Sequence, residues 1–365
     1  MFFKERTFGL FGQEQSRRCV SAFLLRSERG SSTPRALSPT GHALVAACLG
    51  MISALGILNN LLVLVLFGRY KALRSPINML LLNISVSDLL VCALATPFSF
   101  AASARGRWLI GEQGCVWYGF ANSLLGIVSL ISLAVLSYER YSTMMGPTEA
   151  DATNYRKVAM GVLLSWVYSL FWTLPPFFGW SRYGPEGPGT TCSVDWTAKT
   201  ANNISYIICL FIFCLILPFL AIVYSYGKLL HAIKQVSGVN TAMGRKREHR
   251  VLLMVITMVV CYLLCWLPYG IMALMATFGD PDLITAEASI VPSLLAKTST
   301  VINPIIYIFM NKQLLFRLLT NQDIMTSEEI FFVSVYSDTI EAIALPNFHV
   351  MGNPPIFPKF LHKCH

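Results

Sequence analysis

Residues 294–307 have the sequence LLAKTSTVINPIIY and lie within an apolar run at 285–310. That run is long enough to cross a bilayer as a helix. Lys297 lies near its middle, and at about 1.5 Å of rise per residue its amine is about 18 Å from either surface, too deep to reach water. An ammonium at that depth is unfavourable, so Lys297 is a candidate functional residue. Either it pairs with a buried acid or faces a water-filled cavity, or its amine forms a Schiff base with an aldehyde.

The composition is that of a membrane protein with many spans. Of the 365 residues, 55% are hydrophobic and 13% are charged, which is about half the charge of a soluble domain. The net charge of +9 does not indicate nucleic-acid binding, because the basic residues fall in the gaps between apolar runs. The ten cysteines include no CxxC pair of the kind that binds metals. We therefore expect neither a nucleic-acid partner nor a bound metal.

The chain contains seven apolar segments that are near or above the length of a spanning helix. Their residues are 43–67, 77–100, 117–141, 158–178, 204–230, 251–278 and 285–310. Continuous apolar runs exclude the alternating pattern of a membrane β-barrel. The predicted fold class is all-α, a seven-transmembrane helix bundle whose first partner is the lipid bilayer.

Three regions are predicted along the chain. Residues 1–40 are basic and rich in serine, which is typical of a disordered tail, here placed outside the cell. Residues 41–320 contain the bundle and, at 312–319, an alternation of charged and apolar residues that predicts a short amphipathic helix on the cytoplasmic face. Residues 321–365 form a cytoplasmic tail with no assignable element.

The distribution of lysine and arginine predicts the orientation of the chain. One set of connections is rich in these residues, and such basic loops stay in the cytoplasm. The rich set contains Arg69, Lys71, Arg74, Arg156, Lys157, Lys234, Arg245, Lys246, Arg247, Arg250, Lys312 and Arg317. The opposite set contains only Arg105, Arg107, Arg182 and Lys199. We therefore expect a multi-pass protein of the plasma membrane with its N-terminus outside, although the basic tail at 1–40 argues the other way.

Two cysteines fall on the predicted extracellular side. Cys115 opens the third segment, and Cys192 lies among small polar residues of the second outer loop, where buried packing is not expected. A disulfide persists in that oxidising environment and would tie the loop to the third helix. The same side contains an Asn-X-Ser acceptor sequence at Asn203, so close to the membrane that the sequence leaves its glycosylation open.

Charged residues close the third segment. Glu139 and Arg140, followed by Tyr141, lie at its inner end, and Glu248 lies at the inner end of the sixth. An ion pair from Arg140 to either acid would form a latch that is closed in one state and broken in another. The alternative is an ordinary charge pair at the membrane interface.

Polar residues and prolines interrupt the apolar segments. Pro268 removes a backbone hydrogen bond and kinks the sixth helix, so that its inner half can swing. Trp266 lies beside the kink and is, on periodicity alone, a packing residue. Polar side chains lie deep in the first, second and seventh segments, at Asn60, Asp88 and Asn303. If they face inward, they form one hydrated network linked to the break at Pro304.

Together these motifs resemble the rhodopsin-like family of G-protein-coupled receptors over residues 41–320. The matching motifs, in order, are Asn60, LLNISVSDLL at 81–90, ERY at 139–141, CWLPY at 265–269 and NPIIY at 303–307. Lys297, six residues before Asn303, narrows the resemblance to the opsins, whose retinal is bound to that lysine. The segments CSVDW at 192–196 and SYERY at 137–141 look most like the non-visual encephalopsin and multiple-tissue opsin branch.

The resemblance implies a light-sensing receptor and not an enzyme. Retinal would be bound to Lys297 as a Schiff base, 11-cis in the dark and all-trans after light. The other residues assigned to its pocket are Tyr118, Gly126, Tyr262, Trp266, Tyr269 and Ser293. The hydroxyls of Tyr262 and Ser293 would shift the absorption maximum of the chromophore, or would make ordinary hydrogen bonds between helices.

The resemblance also implies the partners. A heterotrimeric G protein of the Gi, Go or transducin class would bind the inner face, and arrestin would be a second partner. The residues assigned to coupling and to the switch are Glu139, Arg140, Tyr141, Glu248, Asn303, Pro304, Tyr307, Asn311, Lys312 and Gln313. Two other functions compete with this one. A retinal photoisomerase would need no G-protein interface, and a pump or channel would need more acidic relay residues than Asp88.

The chain departs from vertebrate visual opsins at the counterion, the acid that balances the positive Schiff base. Three residues after Cys115 those opsins place a glutamate, and this chain has Tyr118, which is uncharged near neutral pH. The resemblance favours Glu186, in the second outer loop, as the counterion, and opsins with this arrangement tend to be bistable. Without the resemblance, Glu186 would be a solvated surface charge. Asp195 is expected to pair with Arg182 instead.

Overall fold

The computed structural model describes residues 37–73, 75–145, 151–235, 242–280 and 284–310. Most of both predicted tails and the predicted amphipathic helix at 312–319 fall outside these ranges, as do Asn311, Lys312 and Gln313. The side chain of Glu248 is also outside the described part, although its backbone belongs to the sixth helix. What the sequence predicts for these residues stays a prediction.

Seven helical spans confirm the predicted bundle. Within the described residues, seven helical stretches are long and apolar enough to cross a membrane, and we number them from one to seven. They are Pro39–Arg69, Asn78–Arg105, Gly111–Thr143, Tyr155–Phe178, Ala201–Leu229, Leu252–Phe278 and Ala286–Met310. Several spans extend past the predicted segments, because apolar residues mark only the part of each helix that lies in lipid.

Two spans are interrupted by a wide π-helical turn. The second passes through Val91–Ala95 and the fifth through Ile212–Ile216. Proline has no N–H, so Pro218 leaves the carbonyl of Phe213 without a helical partner. The hydroxyl of Tyr168 donates to that carbonyl at 2.8 Å.

The regular α-helices are Pro39–Arg69, Pro76–Leu90, Thr96–Arg105, Gly111–Met145, Asp151–Thr173, Ala201–Phe211, Leu217–Gln235, Ala242–Phe278 and Ala286–Met310, with 3-10 turns at Lys71–Leu73 and Pro175–Phe178.

Serine and threonine side chains begin three of the helices. Ser38, Ser75 and Thr200 have extended backbones, and the side-chain oxygen of each accepts a hydrogen bond from an N–H in the first helical turn. Such a cap contributes about 1 kcal/mol. At the end of the second span Gly106 has a φ of 67°, a left-handed conformation that glycine adopts without strain. These caps define helix ends that the apolar pattern alone does not mark.

The outer surface of the bundle is apolar, and its largely apolar interior also contains buried polar residues. Leu44, Phe171 and Leu264 are 66%, 67% and 64% exposed on its outer surface, where lipid tails would cover them. Asn60 and Asp88, by contrast, are only 0% and 2% exposed. The apolar outer surface differs from that of a soluble protein, and these two polar groups lie inside the bundle.

A β-hairpin covers one end of the bundle, and it is an element that the all-α prediction lacks. Tyr183–Glu186 (β1) pairs antiparallel with Thr191–Val194 (β2), and Glu186 is the last residue of β1. The predicted disulfide is present, joining Cys115 at the start of the third span to Cys192 in β2, with the Cα atoms 5.5 Å apart. We call this side the hairpin end of the bundle. The disulfide fixes the hairpin to the third span.

The loop that follows the hairpin is anchored to the sixth span. Lys199 Nζ donates to the carbonyl oxygens of Ala276 (3.0 Å), Thr277 (2.6 Å) and Gly279 (2.9 Å). The last carbonyls of a helix have no partners within it, and a cation there is also favoured by the helix dipole. The Thr277 hydroxyl donates to the carbonyl of Trp196 at 3.0 Å. The hairpin end of the sixth span is therefore fixed to this loop.

Other polar side chains hold the same loop in place. The expected ion pair of Arg182 and Asp195 is present, with Nη2 and Oδ2 2.7 Å apart. Burial acts to raise the pKa of Asp195, but hydrogen bonds from Arg182 and Thr197 outweigh it and hold the pKa below its ordinary value. Asn203 is 3% exposed, and its amide nitrogen donates to the carbonyls of Asp195 (2.7 Å) and Ala198 (2.9 Å). The folded chain therefore leaves no room for a glycan on Asn203.

Candidate functional site

A cavity of about 180 Å³ lies inside the bundle beneath the hairpin. Residues of spans two, three, five, six and seven line it, together with residues of the hairpin. The structure brings together all the residues predicted for the pocket, because each of them lines this cavity: Lys297, Glu186, Tyr118, Gly126, Tyr262, Trp266, Tyr269 and Ser293.

The Lys297 amine is directed toward the third span. Its Nζ donates to Oδ1 of Asn122 at 2.8 Å and lies 5.4 Å from the centre of the Tyr118 ring. Asn122 in turn donates from Nδ2 to the carbonyl of Tyr118 at 2.8 Å. A cation over an aromatic ring is stabilised by the ring's electrons. In the described part of the chain, no acid lies within 4.0 Å of this amine, so its direct contacts are a neutral amide and a ring.

Tyr118 connects the hairpin to the third span. It is 1% exposed, and its hydroxyl accepts a hydrogen bond from Thr191 Oγ1 at 3.2 Å. Its ring meets that of Trp108 edge-on, with the centres 5.1 Å apart. At the position where visual opsins have a charged acid, this chain therefore presents a fixed aromatic ring to Lys297.

Glu186 reaches the cavity from the end of β1. Its Oε1 accepts a hydrogen bond from the Tyr269 hydroxyl at 2.9 Å, and that hydroxyl accepts one from Trp196 Nε1 at 3.1 Å. Burial raises the pKa of Glu186 from 4.5 to about 7, against the hydrogen bond from Tyr269 and the positive charge of Lys297. Glu186 can therefore gain or lose a proton near neutral pH. A fixed positive charge in the cavity would favour its ionised form.

An aromatic cluster lies where the sixth span faces the cavity. Trp266 stacks on Tyr262, with ring centres 5.6 Å apart and planes 18° apart, and meets Tyr269 edge-on at 6.2 Å. Trp266 Nε1 donates to Ser299 Oγ at 3.2 Å. The Tyr262 hydroxyl donates to the carbonyl of Gly126 at 3.1 Å. These contacts connect the sixth span, which contains the proline, to spans three and seven.

The lining of the cavity is mostly apolar, as a long apolar aldehyde such as retinal would require. Among the described residues that line it, Lys297 supplies the one amine, and such an amine can bond covalently to an aldehyde. A Cβ atom added to Gly126 would lie 2.8 Å from Cη2 of Trp266, so the present position of the indole depends on this glycine. Ser293 lines the cavity, while the Tyr262 hydroxyl is engaged with a helix carbonyl.

The structure joins Asp88 and Asn303 directly. The two oxygens of Asp88 accept hydrogen bonds from Asn303 Nδ2 (2.8 Å) and from the Ser129 hydroxyl (3.2 Å). Asn60 joins the seventh span by another route, because its Nδ2 donates to the carbonyl of Thr300 at 2.8 Å. The predicted polar residues therefore link spans one, two, three and seven at the centre of the bundle.

The end of the bundle opposite to the hairpin contains several of the predicted switch residues that the structure describes. Pro304 lies inside the seventh helix and Tyr307 is 0% exposed. The last turns of the third span contain three partly buried residues, Glu139, Arg140 and Tyr141. Because the side chain of Glu248 and residues 311–313 lie outside the described part, the structure does not test the latch, which stays a prediction.

Sequence reasoning missed Asn122, the residue in direct contact with Lys297. Asn122 follows Tyr118 by four residues in the third span, and residues four apart share one face of a helix. The sequence therefore contained a usable signal, since any residue one turn after Tyr118 faces the same amine. Trp196, which completes the hydrogen bonds around Glu186, had no such signal because it lies in a loop.

Comparisons with known proteins agree with this fold. The family model described as 7 transmembrane receptor (rhodopsin family) matches residues 59–307. Vertebrate ancient opsin of Salmo salar is 37% identical over 76% of this chain and 86% of its own length. Opsin-3 of Mus musculus is 38% identical over 78% and 72%. The crystal structure of squid rhodopsin superposes with a TM-score of 0.72 and 26% identity, covering 76% of this chain and 80% of that one.

The fold and these matches define a seven-span receptor. Specifically, the chain belongs to the opsins, within the rhodopsin family of seven-transmembrane receptors. Opsins are light-sensing receptors and not enzymes, bind retinal as their chromophore and couple to heterotrimeric G proteins. The predicted resemblance to the non-visual opsins is confirmed, since opsin-3, an encephalopsin, is among the relatives.

Proposed function

We propose that this chain is a light-sensing receptor whose retinal is bound to Lys297 as a Schiff base. The observation that carries the proposal is the Lys297 amine inside the cavity of an opsin-family bundle, beneath a disulfide-linked hairpin. The amine bonds to the aldehyde carbon, water leaves, and the C=N nitrogen retains one proton and a positive charge. Retinal supplies the absorption of light and the change of shape, from 11-cis in the dark to all-trans after illumination.

Glu186 is the counterion in this proposal. A buried positive charge without a negative partner loses its proton readily, because burial disfavours the charged form. Two observations support Glu186: it lines the same cavity as Lys297, and its pKa of about 7 leaves its charge free to respond to a neighbouring cation. Since this acid lies in the hairpin and not on the third span, we also propose that the pigment is bistable and keeps its chromophore after illumination.

The aromatic cluster transmits the change in the shape of retinal to the inner face of the bundle. Trp266 contacts Tyr262 and Tyr269 on the sixth span, and its indole is bonded to Ser299 on the seventh. A ligand that changes shape against Trp266 favours a different position of the kinked sixth helix. The free energy for this shift comes from the photon energy stored as strain in the ligand and not from ligand association, because the covalent ligand is bound in both states.

The partners and the orientation complete the proposal. The lysines and arginines of the short loops support an N-terminus outside and a plasma-membrane location. The inner face, with Arg140 at its centre, then binds a heterotrimeric G protein of the Gi, Go or transducin class. Arrestin is the second partner expected at the same face.

Regeneration with retinal tests the proposal as a whole. We expect the purified protein, incubated with 11-cis retinal in the dark, to gain a visible absorption band and then to stimulate nucleotide exchange on Gi or Go only after illumination. Gs and Gq are the matched controls for the class of G protein. A protein that forms a pigment and isomerises retinal without exchange on any of them would be a photoisomerase, and a protein that forms no pigment would contradict the retinal assignment.

A further inference from the structure

In this cavity, the hydrogen-bond acceptor for the Lys297 amine and the negative charge nearest in chemistry to a counterion belong to two different residues, Asn122 and Glu186. The amine donates its hydrogen bond to a neutral amide at 2.8 Å, while Glu186 is engaged by the Tyr269 hydroxyl at 2.9 Å. In the described part of the chain, the charged residues that line the cavity are Lys297, Glu186 and Asp88. Asp88 is bound to Asn303 and Ser129, so neither acid is the direct acceptor from the amine.

The orientation of the Asn122 amide follows from its neighbours. An ammonium has only donors, so the atom of Asn122 that faces Lys297 is its side-chain oxygen. The amide nitrogen donates to the carbonyl of Tyr118 one turn earlier, at 2.8 Å, which holds the group in this orientation. Asn122 is therefore an acceptor fixed in place before any ligand binds.

The chemistry of the linked lysine suits such an acceptor. A free ammonium has three N–H groups, but the nitrogen of a protonated Schiff base has one, and a single donor needs a single well-placed acceptor. A hydrogen bond to the charged form favours that form, whether the acceptor is charged or neutral. The Tyr118 ring, 5.4 Å from the nitrogen, adds a further contact that favours a cation.

We propose that Asn122 is a positioning residue that accepts the one hydrogen of the Schiff-base nitrogen at Lys297, while Glu186 supplies the negative charge without touching that nitrogen. This inference rests on the proposed retinal linkage. It assigns hydrogen bonding to the third span and charge compensation to the hairpin.

Two single variants test the hydrogen bond in the pigment. Asn122→Ala removes the acceptor, so we expect the pH at which half of the visible band is lost to fall by at least one unit. We also expect the C=N stretching band to shift less in heavy water, since that shift reports the hydrogen bond at the nitrogen. Ser137→Ala is the matched control, because Ser137 is a buried hydroxyl on the same span that contacts Tyr226 and not the cavity. An Asn122→Ala pigment with the control's pH midpoint and heavy-water shift would overturn the proposal.

An isosteric variant tests the separation of roles. Asn122→Asp has the shape of the native side chain and adds a charge beside the nitrogen. In the Glu186→Gln background it should restore a visible band at neutral pH in halide-free buffer, with the Glu186→Gln single variant as reference. If the double variant stays in the near ultraviolet, Asn122 does not face the nitrogen.

A ligand-free measurement distinguishes failure of this inference from failure of the proposed function. If the native protein forms no pigment, the retinal linkage fails, but the bond from Lys297 to Asn122 can still be measured in the apoprotein. We expect the losses of thermal stability in Asn122→Leu and Lys297→Met to be non-additive in the double variant, because the two side chains contact each other. Additive losses would show that Asn122 does not hold this amine.

Discussion

Lys297 places an amine in the apolar interior of the bundle, and its neighbours explain how the chain tolerates it. A buried cation needs hydrogen bonds and a nearby opposite charge. Asn122 supplies the first at 2.8 Å, and the Tyr118 ring covers the amine from 5.4 Å. Glu186 lines the same cavity but is bonded to Tyr269. The pocket is thus prepared for a positive charge at a defined place, which is what a Schiff base at Lys297 requires.

Substitution of Lys297 is the direct residue-scale prediction. Lys297→Ala and Lys297→Arg should both give folded protein with no visible band after incubation with 11-cis retinal, because neither side chain has an amine that can bond to the aldehyde. Absorbance spectra measure the band, and gel filtration in detergent checks the fold. A normal band from either variant would end the retinal assignment.

Substitution of Glu186 tests the counterion. In Glu186→Gln the cation at Lys297 loses its negative partner and releases its proton, so dark absorbance at neutral pH should move from the visible to the near ultraviolet. Added halide should partly restore the visible band by supplying an anion. A visible band that persists to alkaline pH in halide-free buffer would point to another acid. The next acids to test would be Asp195 and Glu112, which lies in the first turn of the third span.

At the scale of the element, the sequence predicted the spans better than the interruptions within them. Apolar length alone located seven helices, because a spanning helix must satisfy its backbone internally. The π turn Ile212–Ile216 escaped prediction, since Pro218 is compatible with either a kink or a bulge. The β-hairpin also escaped, because its strands Tyr183–Glu186 and Thr191–Val194 are short and rich in turn residues. Its position depends on the disulfide to the third span.

The third and sixth spans give a prediction about the switch. If Arg140 pairs with Glu139 and Glu248 in the inactive state, replacing either acid by glutamine should raise dark signalling several-fold, since one partly exposed pair contributes about 1 kcal/mol. Arg140→Ala should abolish coupling and leave the absorption spectrum intact. Nucleotide exchange in the dark and after light measures both effects. Unchanged dark activity in both acid variants would refute the latch.

At the scale of the whole molecule, the partly buried acid of the hairpin, Glu186, makes ligand-free stability depend on pH. The pKa of Glu186 is about 7 in the folded protein against 4.5 in the unfolded chain, so the folded state binds more protons between these values. The free energy of unfolding should therefore fall as the pH rises through this range, by as much as about 3 kcal/mol.

Thermal unfolding of the apoprotein between pH 5 and 8 measures this effect. The Glu186→Gln variant cannot ionise at that position, so its melting temperature should decline less over the same range. Equal slopes for the native protein and the variant would mean that Glu186 is not buried as described.

The whole bundle also shows why the contacts between residues of the cavity were harder to predict than the list of residues that line it. Lysine depth and the motif order placed Lys297, Trp266 and Glu186 around one cavity, which the structure contains. The choice of partner within the cavity depends on side-chain directions that no linear pattern records. Lys297 has both Asn122 and Glu186 in its pocket, and only packing decides that the amide lies at 2.8 Å.

The three hydrogen bonds from Lys199 to carbonyl oxygens also limit how the sixth span can move. These hydrogen bonds hold the hairpin end of the sixth span in place. Rotation at Pro268 would therefore move mainly the longer part of the helix on the other side of the proline. From Pro268 the helix runs about 12 Å to Ala276 but about 24 Å to Leu252. A rotation of about 10° at Pro268 would therefore displace Leu252 by about 4 Å, because about sixteen residues at a rise of 1.5 Å separate the two. A surface lysine at the hairpin end would thus determine how far the opposite end of the sixth span moves.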